Sequence, residues 1–231
     1  MMPAGEESAA PEPSVRQLTI QTEDGVTLQA EEWTLSKEAQ PAAGILLIHS
    51  FGNTRKTWGP FPTVLARAGY RVLAIDLRGH GGSTPLTVNP ARLLDDPNLA
   101  PRDMRASLAW LRAAPGADPS RLAVIGASVG ADLACVAGGR GLVRTSVALS
   151  PDRDRVHRLA GGGGPLHLQS VFFMATSGDS DAESFARRLS LETKPPKKVQ
   201  VFTRAAEHGE AILAAHPEAA GMILDWLHRT L

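Results

Sequence analysis

The sequence predicts an α/β domain built on a doubly wound, mostly parallel sheet of eight strands with helices on both faces. Three observations predict it. Eight short apolar or alternating runs lie along the chain, and after the first two they alternate with segments of helical period. Right-handed crossovers then lay the helices on both faces and bring the C-terminal ends of the parallel strands to one edge, where ligands bind in such sheets. Hydrophobic residues make up 43% of the 231, enough for a core of this size.

The elements follow in order. Residues 1–14, rich in Pro, Ala, Glu and Ser, are too poor in large apolar groups to pack and are expected to form a disordered tail. The single domain then spans residues 15–231. Two alternating runs flank Asp24-Gly25, a hairpin signal. The run "AAGILLIHS" is the third strand, "WGPFPTVLARAGY" a helix stopped by Gly69, and "RVLAIDL" the fourth strand. A loop follows from Arg78 to about Ala100. Met104, Leu108 and Leu111 share one helical face, "RLAVIG" is the next strand, and a helix runs on to Gly138. "TSVALS", "SVFFMATS" and "KKVQVFT" supply three more strands. Residues 151–168 read as irregular, with Gly161 to Gly164 as a flexible linker or the hinge of a small flap. "AESFARRLSL" and "AAGMILDWLHRTL" are amphipathic helices.

Charge narrows the function. Lysine plus arginine equals aspartate plus glutamate, 24 against 24, so there is no basic footprint for nucleic acid. No apolar run is long enough for a membrane span, and the N-terminus lacks the apolar segment of a signal peptide; a cytoplasmic location is expected. The single cysteine, Cys135, excludes an intrachain disulfide and reads as a core residue. No His-Glu-x-x-His, cysteine pair or phosphate-loop motif occurs, so neither metal nor cofactor is expected. Nothing fixes an oligomeric state.

Gly126-Ala127-Ser128-Val129-Gly130 fills the corner between a strand and a helix. Gly-x-Ser-x-Gly there has the form of a nucleophile elbow: small neighbours allow a tight, strained turn that exposes the serine hydroxyl. A serine nucleophile needs a base, and the base an orienting acid, in chain order serine, acid, histidine. His208 follows the last strand at the functional edge, whereas His157 and His167 come too early and His216 and His228 belong to the C-terminal helices. The acid leaves the preceding strand as Asp179 or Asp181. Gly178 favours Asp179 by permitting a sharp turn, and Asp181 is placed to cap the helix that follows.

These motifs, with "LLIHSFGNTRKTW", "AIDLRGHGGS", "SGDSD" and "EHG" in the same order, make the sequence resemble the α/β-hydrolase superfamily, in particular small bacterial esterase-like members with little or no cap. The resemblance covers residues 15–231. It implies a serine esterase acting on a small-molecule ester, with Ser128, Asp179 and His208 as triad. It also maps the backbone N–H donors of an oxyanion hole to Phe51 and Val129. Ser50 departs from the family's usual glycine, and either adds a hydrogen bond or is tolerated. The turn Asp76 to Ser83 reads as structural, held by Arg78 and His80, and Trp58 as packing. A thioesterase or other acyl hydrolase on the same triad, or a non-catalytic binding module on the same fold, are the alternatives.

Overall fold

In the computed structural model, which describes residues 12–35 and 41–231, eight strands form one sheet in the order β1-β2-β4-β3-β5-β6-β7-β8. The strands are β1 (Ser14–Gln21), β2 (Thr27–Thr34), β3 (Ala42–Ile48), β4 (Arg71–Ile75), β5 (Ala117–Ala127), β6 (Thr145–Leu149), β7 (Gln169–Thr176) and β8 (Lys194–Phe202). β1 and β2 form the antiparallel hairpin, β2 also pairs antiparallel with β4, and the other pairs are parallel. Of the expected tail, residues 1–11 lie outside the described residues, and Ser14 opens β1.

The helices are α1 (Phe61–Arg67), α2 (Ala100–Ala113), α3 (Val129–Gly139), α4 (Arg153–Ala160), α5 (Ser180–Glu192), α6 (Ala211–Ala215) and α7 (Glu218–Thr230). The central strand β3 is buried throughout, and its period of two divides the core. Leu46 and Ile48 pack with Met104 and Leu108 of α2, Leu133 of α3 and Leu189 of α5. Ile45 and Leu47 belong with Phe61 and Leu65 of α1, Ile212 of α6 and Ile223 of α7. One run of apolar residues therefore holds helices on both sides. Among the described residues no helix is long and apolar enough to cross a membrane.

The sequence reading of residues 151–168 needs correction, because α4 occupies Arg153–Ala160. Asp152 caps it by accepting from the Arg155 N–H at 2.9 Å, and Val156 and Leu159 are its only buried residues. Two apolar positions in a short arginine-rich segment give too little periodicity to reveal a helix. The glycine run after it is tied down: the Arg140 guanidinium donates to the carbonyls of Ala160 and Gly163 at 2.9 and 2.7 Å.

Candidate active site

The six parallel strands end along one edge, and five of them hand over to a segment of the candidate site: β3 to His49-Ser50-Phe51, β5 to Ser128, β6 to Ser150, β7 to Asp179 and β8 to His208. Ser128 sits at φ 52°, ψ −117°, a left-handed-side conformation that an L residue holds only under constraint. The constraint is visible. Its N–H donates to the Leu149 carbonyl at 2.9 Å, and its carbonyl accepts from Asp132 at 3.1 Å. A Cβ at Gly126 would overlap the Gly130 carbonyl, and one at Gly130 would overlap the Ile48 carbonyl. The two glycines let strand and helix meet this closely. The Ser128 side chain does not cap α3, so its hydroxyl is left out of the helix's own bonding. Val129 is the first residue of α3, and its N–H has no carbonyl partner inside the helix.

His208 Nδ1 lies 2.5 Å from Asp179 Oδ2, and the imidazole is half exposed. The same aspartate caps α5, its Oδ1 accepting from the Ala182 N–H at 3.3 Å. This corrects the expectation that Asp181 is the cap. Asp181 falls in the first turn of α5, and one carboxylate performs both tasks because its two oxygens point in different directions. Asp179 is thus brought to His208, whereas among the described residues no hydrogen bond joins the Ser128 hydroxyl to the ring.

The loop carrying His208 is fastened at several points. Gly178 donates to the Ala205 carbonyl at 2.7 Å, the Thr176 hydroxyl to the Glu207 carbonyl at 2.9 Å, and the Gly209 N–H to Ser150 Oγ at 3.0 Å. Three other histidines have separate employment: His216 stacks on Phe202 at 4.3 Å, His228 stacks on Tyr70, and His157 meets Glu192.

Ser50, Phe51 and Gly52 form the loop after β3. His49, fully buried, receives the Leu77 N–H on Nε2 at 3.0 Å and turns Nδ1 to the Ser50 carbonyl at 2.7 Å. That pattern fits the neutral ring protonated on Nδ1. Burial lowers the pKa of His49, against the opposing pull of the Ser50 carbonyl. His80 Nε2 accepts from the Gly52 N–H at 2.9 Å and its Nδ1 meets the Arg78 carbonyl, so the Asp76–Ser83 turn braces this loop. Arg78 is locked between Asp103 and Asp24. Phe51 is 39% exposed and packs edge-on against His80.

Sequence reasoning passed over Glu210. It is buried beside the loop after β3, and both its oxygens accept from Ser50, at 2.6 Å from the N–H and 2.5 Å from the hydroxyl. Ser50 thus adds a hydrogen bond in place of the family's glycine. The only sequence signal of Glu210 is a carboxylate two residues beyond the candidate base. Cys135 is fully buried, and burial pushes its thiol well up, as suits a core residue. Trp58 is buried in the apolar packing of α1. An apolar pocket between α1 and the α6–α7 pair is lined by Trp58, Phe61, Leu213 and Glu210, and by none of Ser128, Asp179 or His208.

The sheet edge thus carries a partly buried serine corner and a histidine paired with a carboxylate. The chain belongs to the alpha/beta hydrolase family, which it matches over residues 45–229. Among solved structures it is similar to an esterase of Pyrococcus furiosus, with 19% identity, 94% of this chain and 93% of that one covered, and a TM-score of 0.73. It is also similar to a dienelactone hydrolase of Anabaena variabilis, at 18% identity, 95% and 99% coverage and a TM-score of 0.74. A third is an acetyl xylan esterase of a Paenibacillus species, at 18% identity, 96% and 86% coverage and a TM-score of 0.72. At these identities the likeness is one of fold. No curated protein sequence matches the chain.

Proposed function

We propose that the protein is a serine esterase, with Ser128 as nucleophile, His208 as general acid and base, and Asp179 as the orienting carboxylate. One observation carries the reading: the Asp179 Oδ2–His208 Nδ1 bond, which holds a proton on Nδ1 and leaves Nε2 as the basic nitrogen. Ser128 Oγ attacks the ester carbonyl while Nε2 takes the hydroxyl proton. The carbonyl oxygen gains negative charge and accepts from the N–H groups of Phe51 and Val129. The tetrahedral intermediate collapses when His208 returns the proton to the leaving alcohol. Water, deprotonated by His208, then releases the acid and restores Ser128. Every proton stays within the triad and the reactants, so the chemistry calls for no cofactor.

The test is Ser128→Ala together with labelling by an aryl phosphonate. The alanine variant is expected to lose on the order of 10⁴–10⁶ in turnover of an aryl acetate, with its melting temperature retained. The phosphonate should label Ser128 in the wild type. A purified variant keeping more than about a tenth of the activity would show that another group is the nucleophile.

A further inference from the structure

We infer that Glu210 is a positioning residue that, through Ser50, sets the direction of the Phe51 N–H. The inference rests on the esterase reading above and extends it to a residue outside the triad.

Glu210 is 5% exposed, and its carboxylate oxygens meet neutral donors. A carboxylate so placed is costly unless its lone pairs are occupied. The donors are Ser50 N–H on Oε1 at 2.6 Å, Ser50 O–H on Oε2 at 2.5 Å and Asn53 Nδ2 on Oε2 at 3.4 Å, while the Thr57 hydroxyl, which donates to the Thr54 carbonyl at 2.7 Å, lies 3.2 Å from Oε1. All belong to one segment, residues 50–57, which leaves β3 and carries Phe51. Glu210 itself is two residues from His208. It therefore ties the loop of the base to the loop of the oxyanion donor.

The grip reaches Phe51 through peptide geometry. In a trans peptide the carbonyl of one residue and the N–H of the next point in opposite directions. The Ser50 carbonyl is fixed by His49 Nδ1 at 2.7 Å and by the Asn53 N–H at 3.1 Å, and Glu210 fixes the N–H and hydroxyl of the same residue. With three of its groups held, Ser50 leaves Phe51 one direction for its N–H. A glycine at position 50 would offer Glu210 only the N–H. Gly209 completes the fit. At φ +61° it takes a conformation that L residues rarely adopt, and a Cβ there would come 2.5 Å from Ser50 Oγ.

The experiment measures kcat and KM on an aryl acetate, and inhibition by an aryl boronic acid that mimics the tetrahedral adduct, for wild type, E210A, E210Q and S50A. E210A is expected to lose about 10²-fold in kcat and in boronate affinity, the loss typical of one misplaced oxyanion donor, with KM little changed. E210Q is expected to recover most of this, because its amide oxygen can accept the Ser50 N–H while its NH₂ donates to Ser50 Oγ. S50A keeps the backbone bond and serves if E210A fails to fold; its expected loss in kcat is about tenfold. Wild-type kcat and boronate affinity in either folded variant would overturn the inference, as would a change confined to KM. If the wild type hydrolyses no ester and takes no phosphonate, the esterase reading fails separately. The clamp is then judged by amide hydrogen exchange at residues 51–53, expected about tenfold faster in S50A and overturned by unchanged rates.

Discussion

At the scale of single residues, the structure gives one aspartate two functions that can be separated by chemistry. Asp179→Asn removes the charge that holds the His208 tautomer, and turnover of an aryl ester is expected to fall by about 10⁴. Asparagine caps helices as well as aspartate does, so α5 should remain and the melting temperature should hold. Asp181→Asn should cost less than about tenfold in turnover, since Asp181 is not the cap and, among the described residues, the carboxylate bonded to the histidine is that of Asp179. A crippled Asp181→Asn beside an active Asp179→Asn would reverse the assignment. His49 supplies a second test, of stability. Its folded-state pKa lies below the ordinary imidazole value of about 6.5, so the unfolded chain binds the proton first. The stabilisation from keeping the ring neutral is complete above that value. It is lost as pH falls below it toward the folded-state value, by on the order of 1 kcal/mol per pH unit. Urea unfolding at pH 7.5 and 5.5 should show this loss, and His49→Gln should lack that part of it.

At the scale of elements, two glycines predict opposite outcomes for the same substitution. Gly130, in the first turn of α3, faces the end of β3, where an added methyl would overlap the Ile48 carbonyl. Backbone cannot move aside as a side chain can, so Gly130→Ala is expected to destabilise by about 3 kcal/mol or more. Gly221 lies inside α7, exposed, with open space where a methyl group would stand. There alanine only restricts the unfolded chain and favours the helix, and Gly221→Ala should stabilise by about 0.5–1 kcal/mol. Chemical denaturation of both variants decides. Equal shifts of one sign would mean that the corner between β5 and α3 is looser than its geometry implies.

At the scale of the whole molecule, the segment between β6 and β7, where many members of the family insert a helical cap, holds only the short α4 and a glycine turn pinned by Arg140. His208 is accordingly half exposed at the sheet edge. A site open to water gains little from burying a long acyl chain. Aryl acetate is therefore expected to turn over faster than aryl palmitate, with no activation at a lipid interface. The reverse order of rates would mean that another surface covers the site.

Features that depend on near neighbours in the chain were legible before any folding was known. Strand and helix periods place nearly every element, and Gly126, Ser128 and Gly130 mark the corner because each acts on its own few bonds. The place of His208 at the sheet edge was legible from its position after the last strand. α4 was not, because Val156 and Leu159 alone cannot establish a period. The remaining features belong to the packed chain. Gly178 favours Asp179 over Asp181 in the sequence, but the contact with the histidine depends on the direction in which β7 ends, which the packed sheet sets. Ser50 and Glu210 stand 160 positions apart, and only the shared strand edge brings them together. A buried carboxylate is satisfied by whichever donors the fold delivers to it, so its partner is a property of the packed loops and not of either local sequence.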